Sequence, residues 1–289
     1  MSPVVKQAEA AAVEVPTPGD AHGEGLTADR TPRWRVWYSN KERAILGALG
    51  VSVLLIIWEL APRLGLTDPL FTSSPSLVLA AGTEYVTSPL FLEDVKVSGT
   101  EFGVGLGAAI LTGIPLGLLM GWYRRVEYTF DYVLSFVYAA PRVALMPLMI
   151  LWFGIGLSSK IALVYTMALF PVLINTMSGV KTVDDTLLQV ARSFNAKDHQ
   201  IFRTVILPAA VPSIIAGIRL ALGLALIGVV VGEFVAASAG VGHRIQEAST
   251  FFRTDLVFFG LFVIAGSGVL FTEILRRVES RFDKWRPGH

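Results

Sequence analysis

KTVDDTLLQVARSFNAKDHQIFRTVILPAAVPS, residues 181–213, is a polar island between two apolar runs, 161–180 and 212–235. Each run has about the 20 residues an α-helix needs to cross a bilayer core. The island reads as two short helices. Asp184 or Asp185 can cap the first, whose apolar face carries Leu187, Leu188, Ala191 and Phe194. Asn195 tolerates the left-handed conformation that ends a helix. A second helix is predicted over 196–206, with Pro208 stopping it. Two spans joined by a folded polar loop make the fold class an all-α integral membrane protein. On the residues alone, the loop either connects the spans or offers its apolar face to a partner.

Further spans are predicted over 44–61, 99–121, 132–153 and 256–275, giving six transmembrane helices within 44–276. Pro and Gly inside them are tolerated where neighbouring helices satisfy the freed backbone groups. The composition agrees: 53% of the 289 residues are hydrophobic and 16% charged, against about 25% charged in a soluble chain. The bilayer is therefore an expected partner, and the net charge of +1 points to no nucleic acid. With no cysteine, disulfides, iron–sulfur clusters, thiolate metal sites and thiol nucleophiles are ruled out. His22, His199, His243 and His289 are too scattered to suggest a metal site.

Residues 1–43 hold no apolar core of signal-peptide length. They are predicted to be a disordered cytoplasmic tail. Its basic end, with Trp34, Trp37 and Tyr38 among Arg30, Arg33, Arg35, Lys41 and Arg43, reads as a membrane-interface anchor. A docking helix that folds on a partner is the other reading. Residues 277–289 form a basic C-terminal tail. With the loop 181–211 placed in the cytoplasm, seventeen of the 24 Lys and Arg fall on that side and five on the other. Cytoplasmic loops carry that excess, so both termini are predicted to be cytoplasmic.

Three of the charges inside spans bear on a path or gate. Arg219 and Glu233 share the fifth, 14 residues apart, or roughly 21 Å along a helix, too far to pair. Arg142 sits about ten residues into the third span, between Pro141 and Pro147. Two prolines open the backbone as expected near a cavity. An arginine there can hold an anion by a bidentate contact or form an internal pair with Glu59 or Glu233. Glycines at 99, 103 and 107, at 113, 117 and 121, and at 228 and 232 recur every fourth residue, a pattern of close helix packing.

The loop resembles the EAA loop of binding-protein-dependent ABC importer permeases. Gln189, Val190 and Ala191 stand at the EAA positions, Asn195 at the glycine, and Val205-Ile206-Leu207-Pro208 closes the motif. Three of the four signature positions depart from consensus, and Gln for Glu removes a charge. The resemblance extends over 44–280 and is closest to the taurine, sulfonate, nitrate and bicarbonate permease group. Ser74-Pro75-Ser76, Pro147-Leu148 with Ile150 through Gly156, Phe170-Pro171 through Thr176, and Gly217-Ile218-Arg219 leading to Glu233 and Gly240-Val241-Gly242 carry it, in order.

That resemblance implies the type I ABC importer permease fold in a prokaryotic inner or plasma membrane. It implies a coupling helix of Leu187, Leu188, Gln189, Val190, Ala191, Arg192, Ser193, Phe194, Asn195 and Ala196 that docks on an ATPase. The implied partners are two ATPase subunits carrying ATP and Mg, a second permease copy in a homodimer, and a solute-binding protein outside. Pro141, Pro147 and Arg219 fall to structure or gating, and Glu233 to the path together with Arg142, which has no counterpart in the family pattern and is placed there by its own chemistry. No G-x-x-x-x-G-K-[ST] loop occurs in the chain, so any ATPase is another polypeptide and no catalytic, metal or cofactor site is expected. The implied cargo is a small anion: sulfonate, taurine, nitrate, bicarbonate or an organic or aromatic carboxylate. A neutral pyrimidine-type nutrient is the alternative. An ion-coupled secondary transporter would need an intramembrane carboxylate, for which Glu233 alone stands.

Overall fold

A computed structural model of the chain describes residues 33–280, and expectations for 1–32 and 281–289 lie outside them. The described residues contain helices, turns and loops and no strand. The chain divides between Leu54 and Leu55 into two compact units. In the first, the described residues all belong to α1 (Arg33–Arg63), which begins ahead of the expected start at 44. Within α1, Ile45–Arg63 is long and apolar enough to cross a membrane.

In the second unit, Ser74 caps α3 (Pro75–Thr87), with Pro75 at its first turn where the missing N–H costs nothing. α4 (Pro89–Trp122) is longer than the predicted span 99–121. α7 (Leu157–Lys181) and α10 (Leu207–Ala236) pack on it, and α12 (Thr254–Glu279) closes the series. Short helices α2 (Pro69–Thr72) and α11 (Val241–Thr250) lie between spans, as do α8 (Asp185–Ser193) and α9 (Asp198–Ile201) in the loop.

The core is the seam of α4, α7 and α10. Phe102, Leu106 and Ala109 meet Val164, Ala168 and Val172, which in turn meet Ala221, Leu222, Ala225 and Val229. Small residues set the spacing. A Cβ on Gly117 would stand 2.6 Å from the Leu173 carbonyl oxygen and 2.7 Å from Thr176 Cβ, so α4 touches α7 along 113, 117 and 121. The stripe at 99, 103 and 107 meets nothing within 4 Å and is not a helix contact.

Two predicted elements are corrected. The third span, 132–153, is not one helix. α5 (Arg124–Ala139) and α6 (Met146–Phe153), joined by a 3₁₀ turn over Arg142–Leu145, meet at 91°. Pro141 forces Ala140 into extended backbone, which stops α5. Pro147 restarts a helix at its first turn. Further on, Pro208 does not stop the second loop helix. α9 runs through a π turn at Phe202–Ile206 directly into α10. The wider turn accommodates a ring that carries no N–H.

Candidate functional site

Because α5 ends at an elbow and not in a continuous helix, Arg142 sits at the bend. No residue of α5 is buried. The Arg142 guanidinium is half-buried, its carbon 5.0 Å from the Tyr138 ring centre and 5.7 Å from that of Phe170. Nη1 donates to the Met167 carbonyl oxygen at 3.4 Å. No described carboxylate pairs with it. The two acids that sequence reasoning offered are engaged elsewhere. Glu59 pairs with Arg63 and accepts from the Ser76 amide at 3.0 Å and hydroxyl at 2.7 Å. Glu233 accepts from the Ser98 hydroxyl and the Gly242 amide, each at 2.6 Å.

Glu233 thus has interior partners and no open face; it is 1% exposed. It belongs to a buried polar cluster that joins α4, α7, α10 and α11. Asp94 accepts from the Tyr85 hydroxyl at 2.6 Å, the Gly240 amide at 2.7 Å and Arg244 Nε at 3.2 Å. Burial, reinforced by the hydrogen bond to Asp94, pushes the Tyr85 phenol well above its ordinary range. Lys160 Nζ lies 2.5 Å from Glu101 Oε1, both groups almost wholly buried. Sequence reasoning missed Asp94, Ser98 and Glu101. Their spacing of four and three places them on one face of α4, and that was the available signal.

Arg219 lies toward the other end of α10, half-exposed and paired with Glu279 of α12. Pro141 and Pro147 flank the elbow and are exposed.

In the loop, the Asp184 side chain accepts the Thr186 amide at 2.8 Å and caps α8. That amide holds the Asp184 carboxyl below the usual carboxylate range. α8 ends at Ser193; Phe194 is its cap and Asn195, at φ 54°, turns the chain through the left-handed region. Ala196 follows, half-buried. The apolar face expected as one is divided. Leu188, Ala191 and Ala196 pack on a cluster of Val180, Ile201, Ile206, Ala210 and Ile214. Leu187, Val190 and Phe194 point away and are 51%, 49% and 83% exposed. Gln189, Arg192 and Ser193 are exposed beside them.

Five helices of membrane-crossing length, six with the elbow counted as one span, define the class: a multi-pass membrane protein. The chain belongs to the family described as binding-protein-dependent transport system inner membrane component, whose profile matches residues 113–284. It is 38% identical over 83% of its length, and 87% of the relative's, to a protein of Bacillus subtilis (strain 168) described as an aliphatic sulfonates transport permease, SsuC. It is 35% identical to the taurine transport system permease protein TauC of Escherichia coli (strain K12), over 89% of this chain and 94% of that one. With the formylaminopyrimidine transport permease protein ThiX of Halalkalibacterium halodurans it shares 30% identity over 84% of this chain and 97% of that one. Among solved structures, the fold recurs in an amino acid ABC transporter at TM-score 0.55 and 16% identity, covering 71% of this chain and 97% of that chain. It recurs in an inward-facing MetNI methionine ABC transporter at TM-score 0.51 and 20% identity, covering 64% and 96%. The chain is the permease subunit of an ABC importer and not an enzyme; the ATPase is a separate subunit. Among the described residues no group of acids and histidines is arranged to hold a metal.

Proposed function

We propose that this permease forms the path for a small anionic solute, such as a sulfonate, taurine, nitrate, bicarbonate or an organic or aromatic carboxylate. The observation that carries the reading is Arg142, half-buried at the 91° elbow of a membrane span, with no carboxylate partner among the described residues. A cation in such a place costs about 3 kcal/mol and persists where it faces protein or water and has work to do. The sulfonate and taurine relatives agree with an anion.

The same reading places the loop and both termini in the cytoplasm, on the strength of the Lys and Arg asymmetry. The free stripe of Leu187, Val190 and Phe194 then docks on an ATPase. The working assembly is a homodimer of this chain with two ATPase subunits that carry ATP and Mg, served from outside by a solute-binding protein. Alternating access moves the cargo past Arg142.

Uptake by the assembled transporter in liposomes tests the anion. Ethanesulfonate, taurine, nitrate, bicarbonate and benzoate are offered with the cognate binding protein. Arg142→Gln is expected to assemble normally and to lose uptake of the anion that the parent carries by roughly tenfold or more. Unchanged uptake removes Arg142 from the path. Uptake of a neutral pyrimidine and of none of the anions replaces the cargo assigned.

A further inference from the structure

Among the described residues Arg142 is held without an acid, and the way it is held depends on a proline elsewhere in the chain. In α7, residue 171 would ordinarily donate its N–H to the carbonyl of residue 167. Pro171 has no N–H and lies inside the helix, so the Met167 carbonyl is freed from that bond. Met167 is 4% exposed, and a buried carbonyl calls for a donor. Arg142 Nη1 is the donor it finds, at 3.4 Å.

The residue before the proline supplies the second hold. Phe170, 5% exposed, and Tyr138 of α5 form a tilted ring pair with centres 6.2 Å apart, and the guanidinium carbon lies within 6 Å of both. A carbonyl dipole and two ring faces fix a cation without cancelling its charge, which a carboxylate would do. Among the described residues, Nε and Nη2 have no hydrogen-bond partner, so they remain for a ligand.

We propose that Pro171, Phe170 and Tyr138 are positioning residues that hold the Arg142 guanidinium as a preset receptor for the oxyanion group of the cargo. This rests on the reading that Arg142 meets the cargo. The proline supplies the acceptor, the rings set the plane, and the unpaired edge of the fork takes two oxygens of a sulfonate, carboxylate or nitrate.

The assembled transporter in liposomes, with the anion that the parent carries, tests this. Pro171→Ala lets α7 close its own bond to Met167. Turnover at saturating loaded binding protein is expected to fall roughly tenfold, while the half-saturating concentration of that binding protein stays unchanged. The thermal unfolding midpoint stays level or rises, an outcome that a merely structural proline would reverse. Tyr138→Leu, at a half-exposed position where folding is not at stake, is expected to lower turnover in the same way. Phe136→Leu, on the same helix at 79% exposure and away from the arginine, serves as the control and keeps full turnover. If Arg142→Gln loses uptake but Pro171→Ala or Tyr138→Leu retains turnover within twofold, the cradle is wrong and the anion path stands. A Pro171→Ala chain with a lowered unfolding midpoint also overturns the cradle. If Arg142→Gln itself transports normally, the anion path falls, and the cradle with it.

Discussion

Lys160 shows what one side chain can decide. Its ammonium lies 2.5 Å from a Glu101 oxygen, and the two side chains are 5% and 0% exposed. Burying such a pair gives little net stability, but removing one partner strands the other in a medium that solvates it badly. Lys160→Met is therefore expected to destabilise the chain by about 3–5 kcal/mol. Thermal unfolding in detergent would register it as a large drop in midpoint, and Glu101→Gln added to the same chain should recover part of the loss. In the sequence Lys160 reads as an outside charge at the edge of a span. Its burial comes from packing against Gly232, 72 residues further on, where a Cβ would stand 3.2 Å from the lysine Cγ. No local pattern encodes that. Arg142 was legible as a charge bracketed by prolines, whereas the carbonyl and one of the two rings that hold it come from α7.

At the scale of elements, α8 was readable in its cap, its length and its turn at Asn195, because those depend on neighbours in sequence. Which apolar residues it spends inward was not readable, since Leu187, Leu188, Ala191 and Phe194 can all lie toward one side of a helix. The structure separates an inward pair, Leu188 and Ala191, from an outward stripe of Leu187, Val190 and Phe194. Phe194 is 83% exposed, so a change there leaves the permease core intact. A carboxylate placed in the apolar contact of a docked ATPase costs about 2 kcal/mol or more. Phe194→Asp is accordingly expected to insert in the membrane and bind loaded binding protein, while cargo-stimulated ATP hydrolysis collapses. Normal coupling in that variant would show that α8 docks elsewhere. The elbow and the π turn have a common lesson: a proline marks a change of backbone, but whether the chain bends or carries on depends on the helices around it.

For the whole molecule, five helices of membrane-crossing length, six with the elbow counted as one span, were legible because apolar length is a property of composition. The orientation proposed for them rests on the charge asymmetry and is open to direct test. The chain contains no cysteine, so single cysteines at the exposed Ser193 and Ser249 would be the sole thiols. A membrane-impermeant maleimide added to intact cells is expected to label Ser249→Cys and to spare Ser193→Cys until the membrane is opened. The reverse labelling would invert the topology. The buried polar cluster also sets a constraint of timing. Asp94 and Ser98 on α4 wait for Gly240, the cap of α11, and for Val241 and Arg244 on it, which a ribosome delivers 143 to 150 residues later. Until then two polar side chains of one early helix lie in or near the bilayer without all of their final partners, so this permease is most exposed to quality control midway through its own synthesis.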